Sequence, residues 1–404
     1  MAEHAGATGL SGMWKELLPL GRHSGGGYRR YAWTPADAEC RAWFRAQATA
    51  RGLAYEVDGN GNQWAWHGDP AEGDAVVTGS HLDSVPDGGA FDGPLGVVSA
   101  FAAYDELRRR GVEFTRPLGV VNFTDEEGAR FGLSCVGSRL ATGALTVEGA
   151  HALRDADGIS LPHAMEAAGH DPAGLGADPH RLARIGAFVE LHIEQGRALA
   201  ETGHAVAVAS AIWPHGRWRF DFHGEANHAG TTRLEDRRDP MLTYANTVLA
   251  ARKKARLAGA LATFGKVAVE PNGVNAVPSL VSGWLDSRAP DEEILAAVVG
   301  EIERAAGDRG GRDGVEVRVT RESATPLVEF DHALRDTLAA RLGGAPLLPT
   351  GAGHDAGILS ASLPTAMLYV RNPTGVSHAP AESATEDDCA AGVTALADVL
   401  EGLV

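Results

Sequence analysis

Four short stretches carry residue types and spacings that chemistry can use. The first is Gly79-Ser80-His81-Leu82-Asp83-Ser84-Val85-Pro86-Asp87-Gly88-Gly89-Ala90-Phe91-Asp92-Gly93, where an imidazole and a carboxylate, His81 and Asp92, flank a glycine-rich loop. Asp83 is close enough to His81 to hold the ring through its second nitrogen, the outer contact that a metal-ligating histidine needs. The second stretch, Thr124-Asp125-Glu126-Glu127-Gly128, offers adjacent carboxylates that can divide labour, one binding a metal and one serving as general base. The third is Glu190-Leu191-His192-Ile193-Glu194-Gln195-Gly196, and the fourth Gly375-Val376-Ser377-His378-Ala379-Pro380-Ala381-Glu382. His81, Asp92, Glu127, His192 and His378 together make a set of nitrogen and oxygen donors. Shared through Asp92, they suffice for two metals, each with three protein ligands and an open position. Two metals about 3.5–4 Å apart can polarise a carbonyl and activate water. Taken singly, each stretch also reads as a polar turn, and a lone histidine there is more often a loop residue than a ligand.

The elements around these stretches favour the chemical reading. Each stretch follows an apolar run: Ala75-Val76-Val77-Thr78 before the first, residues 118–123 before the second, 187–191 before the third and 366–370 before the fourth. Open α/β sheets bind their ligands beyond the carboxyl ends of such strands. A helix is expected from Pro94 to Arg110, ending at Gly111, and strand, helix, strand at this spacing implies a right-handed crossover in a mainly parallel sheet. An earlier helix has Thr34 as N-cap, Pro35 in its first turn, Asp37 completing a capping box and Gly52 past its end. Strands at 53–57 and 63–67 are joined by the hairpin sequence Asp58-Gly59-Asn60-Gly61-Asn62. Residues 137–184 read as helical but broken by Gly and Pro, and another strand is expected at 205–209.

After Ile212 the pattern changes. Strands at 217–223, 266–269, 280–285 and 315–319 alternate with helices at 240–257 and 292–306, giving the order β-α-β-β-α-β of a ferredoxin-like unit. Two domains are therefore expected: a parallel-sheet domain from 1–211 and 325–404, and an inserted module at 212–324. Helices at 332–342 and 385–403 flank the last parallel strand.

Composition narrows the function classes. The 404-residue chain is 44% hydrophobic and 22% charged with a formal net charge of −17, and its basic residues form no stripe, which argues against a nucleic-acid surface. No apolar run approaches the ~20 residues of a membrane span. Met1 to Leu20 shows no basic-then-apolar leader pattern, so a cytoplasmic location is expected. Cys40, Cys135 and Cys389 lack Cys-x-x-Cys spacing and read as buried thiols.

From Gly79 to Glu382 the motifs resemble those of the M20 peptidase superfamily, specifically its branch of allantoate amidohydrolases, N-carbamoyl-L-amino acid hydrolases and β-ureidopropionases. The His-x-Asp at 81–83 and the Glu-Glu pair at 126–127 are shared across the superfamily, while Leu191-His192-Ile193-Glu194-Gln195-Gly196 marks the branch. The resemblance implies an α/β fold: a mainly parallel-sheet metallopeptidase-like catalytic domain with an inserted ferredoxin-like α+β lid/dimerisation domain. It implies two divalent metal ions per subunit, zinc first, with manganese or cobalt as alternatives. His81 and His192 would belong to one metal, Glu127 and His378 to the other, with Asp92 bridging, Glu126 as general base and Asp83 orienting His81.

In the inserted module, His223-Gly224-Glu225-Ala226-Asn227-His228-Ala229-Gly230-Thr231-Thr232 matches the motif whose histidine, here His228, reaches the partner subunit's site and steadies an oxyanion. Asn275 and Arg288 match the residues that hold the substrate carboxylate, and Gln195 and His354 match further substrate contacts. Arg233 and Leu234 depart from the proline and methionine usual after the paired threonines. The implied activity is hydrolysis of a C–N bond of a small ureido acid, of the N-carbamoyl-L-amino acid or allantoate type, with release of ammonia. An aminoacylase or peptidase, an N-formyl or N-formimino amidohydrolase, and a non-catalytic metal-binding relative are the alternatives. The implied partners are a small substrate bearing a carboxylate and a second copy of the chain, with no nucleic acid and no membrane.

Overall fold

The alternation of apolar strand runs and capped helices folds into two units, one running through Ser210 and resuming at Glu329, the other spanning Ala211–Val328. The computed structural model describes residues 9–404; residues 1–8, the start of the Met1–Leu20 stretch, lie outside the described residues. In chain order the strands are β1 (Ala54–Val57), β2 (Gln63–His67), β3 (Ala75–His81), β4 (Leu118–Phe123), β5 (Ile185–Ile193), β6 (Val206–Ile212), β7 (His215–His223), β8 (Asn227–His228), β9 (Leu261–Glu270), β10 (Ala276–Val277), β11 (Leu280–Arg288), β12 (Glu316–Thr325), β13 (Val328–Glu329), β14 (Leu347–Thr350) and β15 (Thr365–Val370).

The first unit is built on a mixed sheet ordered β1-β2-β4-β3-β5-β15-β6-β13, with β14 beside β6. Its central strands β4, β3, β5 and β15 are mutually parallel, and β2 and β6 join them antiparallel on either side. Every residue of β3, β4 and β15 is buried, which is why these segments are continuous apolar runs and not alternating ones. Helices Pro35–Ala50, Pro94–Arg110 and Glu386–Glu401 supply the main core, where Phe44, Phe101, Val98, Leu396 and Val399 close on the strands. A smaller cluster forms around Trp33, Phe131, Leu140 and Met165. The capping signals act nearly as expected. Thr34 accepts the Asp37 N–H at 3.4 Å, while the Asp37 carboxylate reaches Trp33 N–H at 2.9 Å, one residue before the cap.

The helices Leu10–Leu17, Ala198–Thr202 and Asp355–Leu359 have no counterpart among the expected elements; the first is the longest of them. It is held from outside: the buried Arg30 guanidinium donates to the carbonyls of Leu20 at 2.9 Å and Leu17 at 3.1 Å, satisfying acceptors at the helix end. A cap supplied by a residue this far along the chain leaves no local signal.

In the second unit, β7, β9, β11 and β12 form an antiparallel sheet in the order β12-β7-β11-β9. Helices Pro240–Ala258 and Glu292–Asp313 complete the ferredoxin-like β-α-β-β-α-β sequence. Alternation on β7 and β11 places Phe220, Phe222, Val281 and Leu285 in a core with Ala251, Val298 and Ile302 of the helices. β9 and β12 are longer than their expected spans; both are edge strands, exposed over much of their length, so hydrophobic alternation marks only part of each.

Phe101 lies fully buried with its ring centroid 5.1 Å from that of Phe44. Phe101→Ala is expected to destabilise the protein by about 3–5 kcal/mol, read as a lowered denaturant midpoint with the far-UV spectrum of the native protein retained.

Candidate functional site

The carboxyl ends of the central strands deliver the site in the first unit. His81 ends β3, His192 is the penultimate residue of β5, Glu126 and Glu127 follow β4, and His378 follows β15. Asp92 arrives from the loop between β3 and helix Pro94–Arg110. One of its carboxylate oxygens, Oδ1, faces His192 Nε2 at 3.2 Å and His81 Nε2 at 3.7 Å; the other, Oδ2, faces His378 Nε2 at 3.3 Å. His378 Nε2 lies 3.6 Å from Glu127 Oε2, so Asp92 belongs to both donor groups, His81-Asp92-His192 and Asp92-Glu127-His378. Within each group the ligand atoms lie within 4.8 Å of one another. Gly93 makes the approach possible. It holds a φ of +81°, and a Cβ there would stand 2.3 Å from the His81 ring.

The donor chemistry fits divalent cations. Nε2 of both His81 and His192 is buried and makes no well-formed hydrogen bond among the described residues, and both rings are fixed through Nδ1. His81 Nδ1 sits 3.2 Å from the Asp83 carbonyl and 3.4 Å from its carboxylate, and His192 Nδ1 lies 2.8 Å from the Ile193 carbonyl. Metal-binding imidazoles are oriented in this way. Asp83 does more than flank His81: its two carboxylate oxygens accept the Glu126 and Glu127 N–H groups at 3.1 and 3.0 Å, fixing the turn that carries both acids.

Electrostatics divides the carboxylates. Burial works against ionising Asp92, but the imidazoles of His192, His378 and His81 outweigh it and hold that group well below the usual carboxylate range. Burial, reinforced by Asp355, Glu127 and Asp83, pushes Glu126 well up despite His81 nearby. Burial and the Asp92 charge raise Glu127 to about 7. The hydrogen bond to Asp92 raises His378 to about 9. Burial and the neighbouring His192 push His354 well below the usual histidine range. Such crowding of acids is what bound cations relieve.

Gln195 is drawn into the cluster, donating to Asp92 Oδ2 at 2.8 Å, and His354 packs edge-on against His192 with ring centroids 4.5 Å apart. The second unit carries the remaining expected residues. His228 and Asn275 are neighbours across the β8–β10 ribbon, where Ala229 N–H donates to the Asn275 carbonyl at 2.9 Å. His228 is exposed, its Nδ1 accepting Gly230 N–H at 3.0 Å. Arg288 is the last residue of β11, forked onto Asp286 at 2.8 and 3.2 Å. It is not brought to His228: β11 begins beside His223 and Glu270 and runs away from them, leaving Arg288 about 27 Å along the strand.

Several participants carried no assigned role in the sequence reading. Cys135 Sγ donates to Glu126 Oε1 at 3.2 Å, leaving Oε2 3.6 Å from His81 Nε2. Glu190 accepts from Ser80 Oγ at 2.7 Å and Ala356 N–H at 3.0 Å beneath His192, and Ser138 Oγ donates to Asp355 at 2.5 Å. Glu190 did have a signal, an acid two residues from His192 inside an otherwise apolar strand and hence on the same face. Cys135 had none.

A profile of peptidase family M20/M25/M40 matches residues 77–402. The N-carbamoyl-L-amino acid amidohydrolase of Geobacillus stearothermophilus is 36% identical over 398 residues, covering 95% of this chain and 96% of its own length. The allantoate amidohydrolase of Escherichia coli (strain K12) is 33% identical over 404 residues, covering 96% of each. A crystal structure of a hydantoinase/carbamoylase family amidase from Burkholderia multivorans superposes with a TM-score of 0.85 at 30% identity, over 98% of this chain and 97% of that one. Likeness sustained at that level from end to end makes this chain a member of peptidase family M20/M25/M40.

Proposed function

We propose that the protein is a two-metal amidohydrolase that cleaves a C–N bond of a small ureido acid, of the N-carbamoyl-L-amino acid or allantoate type, and releases ammonia. The carrying observation is the Asp92 carboxylate, which turns one oxygen to the His81–His192 pair and the other to His378 beside Glu127. In this reading His81 and His192 hold one ion, Glu127 and His378 the other, and Asp92 spans both. Imidazole and carboxylate donors suit zinc, with manganese or cobalt as alternatives. The bound ions supply Lewis acidity toward the substrate carbonyl and favour deprotonation of water.

The chain's own residues do the rest. With Oε1 engaged by Cys135, Glu126 presents Oε2 toward His81; it takes a proton from the attacking water and returns it to the leaving nitrogen. Gln195 and His354 line the substrate position, and the Arg288 fork binds a substrate carboxylate in exchange for Asp286. His228 steadies the developing oxyanion. The names of the relatives, which act on N-carbamoyl-L-amino acids and allantoate, support this substrate class over peptides.

The inserted module serves in this reading as lid and dimerisation element. A small substrate cannot touch two ends of one strand, so Arg288 on one side and His228 with Asn275 on the other serve different sites. A homodimer meets that requirement: at each site Arg288 comes from one copy and His228 with Asn275 from the other.

Glu126→Gln is expected to retain metal and to lower kcat by about 10²–10⁴-fold, measured as ammonia release; near-native turnover would remove Glu126 from the base role. Chelation should abolish hydrolysis of N-carbamoyl amino acids and allantoate, and zinc, manganese or cobalt should restore it. Activity confined to dipeptides or N-acetyl amino acids would overturn the substrate class. Mixing inactive His228→Ala with inactive Arg288→Ala and allowing subunit exchange should recover about a quarter of wild-type activity, because half the dimers then carry one intact site. No recovery in proven mixed dimers would show that each site takes both His228 and Arg288 from one and the same copy.

A further inference from the structure

Glu382 ends the fourth sequence stretch and has no part in the chemistry above. It lies in the first unit, 5% exposed, and its Oε1 accepts two consecutive backbone donors, Phe91 N–H at 2.8 Å and Asp92 N–H at 3.0 Å. The contact spans 290 residues of sequence and joins the loop carrying Asp92 to the loop carrying His378. We propose that Glu382 is a positioning residue, a latch that fastens these two loops so that Asp92 and His378 meet the metals as one preset unit.

Both loops need an external hold. His378 sits at a φ of +56°, a left-handed conformation that a non-glycine residue keeps only when its surroundings impose it. On one side Asn372 fixes the loop: its Oδ1 accepts Thr374 N–H at 3.1 Å and Gly375 N–H at 2.9 Å, and its Nδ2 donates to the Val376 carbonyl at 2.9 Å. On the other side Glu382 N–H closes a turn on the Ala379 carbonyl at 3.0 Å, and the Glu382 side chain then ties that turn to Asp92. The Asp92 carboxylate is already occupied by Gln195 and Ser377, so its backbone must be held separately. Gly89 shows how closely the latch is seated, because a Cβ at that position would stand 2.4 Å from both Cβ and Oε1 of Glu382. Hydrogen bonding to two N–H groups requires an acceptor of this length but not its charge.

This inference rests on the two-metal reading, and metal binding separates the two. Metal-free wild-type protein, Glu382→Ala, Glu382→Gln and Gly89→Ala would be titrated with Zn²⁺ against a competing chelator, and the visible spectrum of each Co²⁺-loaded form recorded. Melting of the metal-free forms checks that they are folded. Wild type is expected to bind two ions. Glu382→Ala should bind about 10–100-fold more weakly at the weaker site and show altered cobalt bands. Gly89→Ala, which crowds the latch without removing it, should change in the same direction. Glu382→Gln, which keeps the acceptor, should recover most of the affinity and the wild-type bands. Unchanged affinity and spectrum in folded Glu382→Ala would overturn the latch and leave the two-metal reading intact. A Glu382→Gln protein as weak as Glu382→Ala would overturn it in favour of a purely electrostatic role. Wild type that binds no divalent ion would instead remove the two-metal reading itself.

Discussion

A single buried anion surrounded by imidazoles sets the terms for this molecule. Asp92 is 6% exposed and cannot ionise there without compensation, yet His192, His81 and His378 all stand within 3.7 Å of its oxygens. Only His81 shares a stretch of sequence with Asp92; His192 and His378 come from far along the chain. Each is delivered by a different part of the chain, and only a sheet with its central strands parallel brings their carboxyl ends into one row. Loops alone would not hold such separations; fully buried strands in fixed register do.

The same centre is overloaded with acids. Asp83, Glu126, Glu127, Glu190, Asp355 and Glu382 are carboxylates at or beneath the site, and the neighbours of several push one another toward the protonated form. A protein folding for stability alone gains little from such a cluster, because buried charges rarely repay their desolvation. Backbone N–H groups offset part of the cost: Asp83 takes two, Glu382 two, Glu190 one along with a hydroxyl. Cations are the natural remedy for the remainder, which links the thermodynamics of the fold to the contents of its site.

Much of this was legible in the sequence, for reasons that differ by element. β2 and β4 were read to the residue because a turn-rich hairpin and an uninterrupted apolar run mark their limits. The donors were legible as types at strand ends, and counting them allowed two metals sharing Asp92; which donors belong together was implied by the family resemblance. What local pattern could not convey were contacts of long range. Arg30 capping a helix that precedes it, Cys135 donating to Glu126 and Ser138 donating to Asp355 leave no periodic trace. The edge strands β9 and β12 were only partly legible, since strands exposed over much of their length keep little hydrophobic alternation. Asp83 illustrates an intermediate case: its place beside His81 follows from spacing, but its grip on the Glu126–Glu127 turn depends on β3 and β4 being adjacent.

The position of β15 has a consequence for how the protein comes into being. This strand is the last in the chain, yet it lies inside the sheet, parallel to β5 on one side and antiparallel to β6 on the other. During synthesis from the N-terminus, β5 and β6 therefore leave the ribosome with a vacant slot between them, each presenting an unpaired edge. His378 follows that strand, so it too is made after β5 and β6. A nascent chain that stops short of β15 thus carries the His81-Asp92-His192 group complete and the other group one ligand short. Filling the slot between β5 and β6 and completing the second donor group therefore depend on the same stretch of chain.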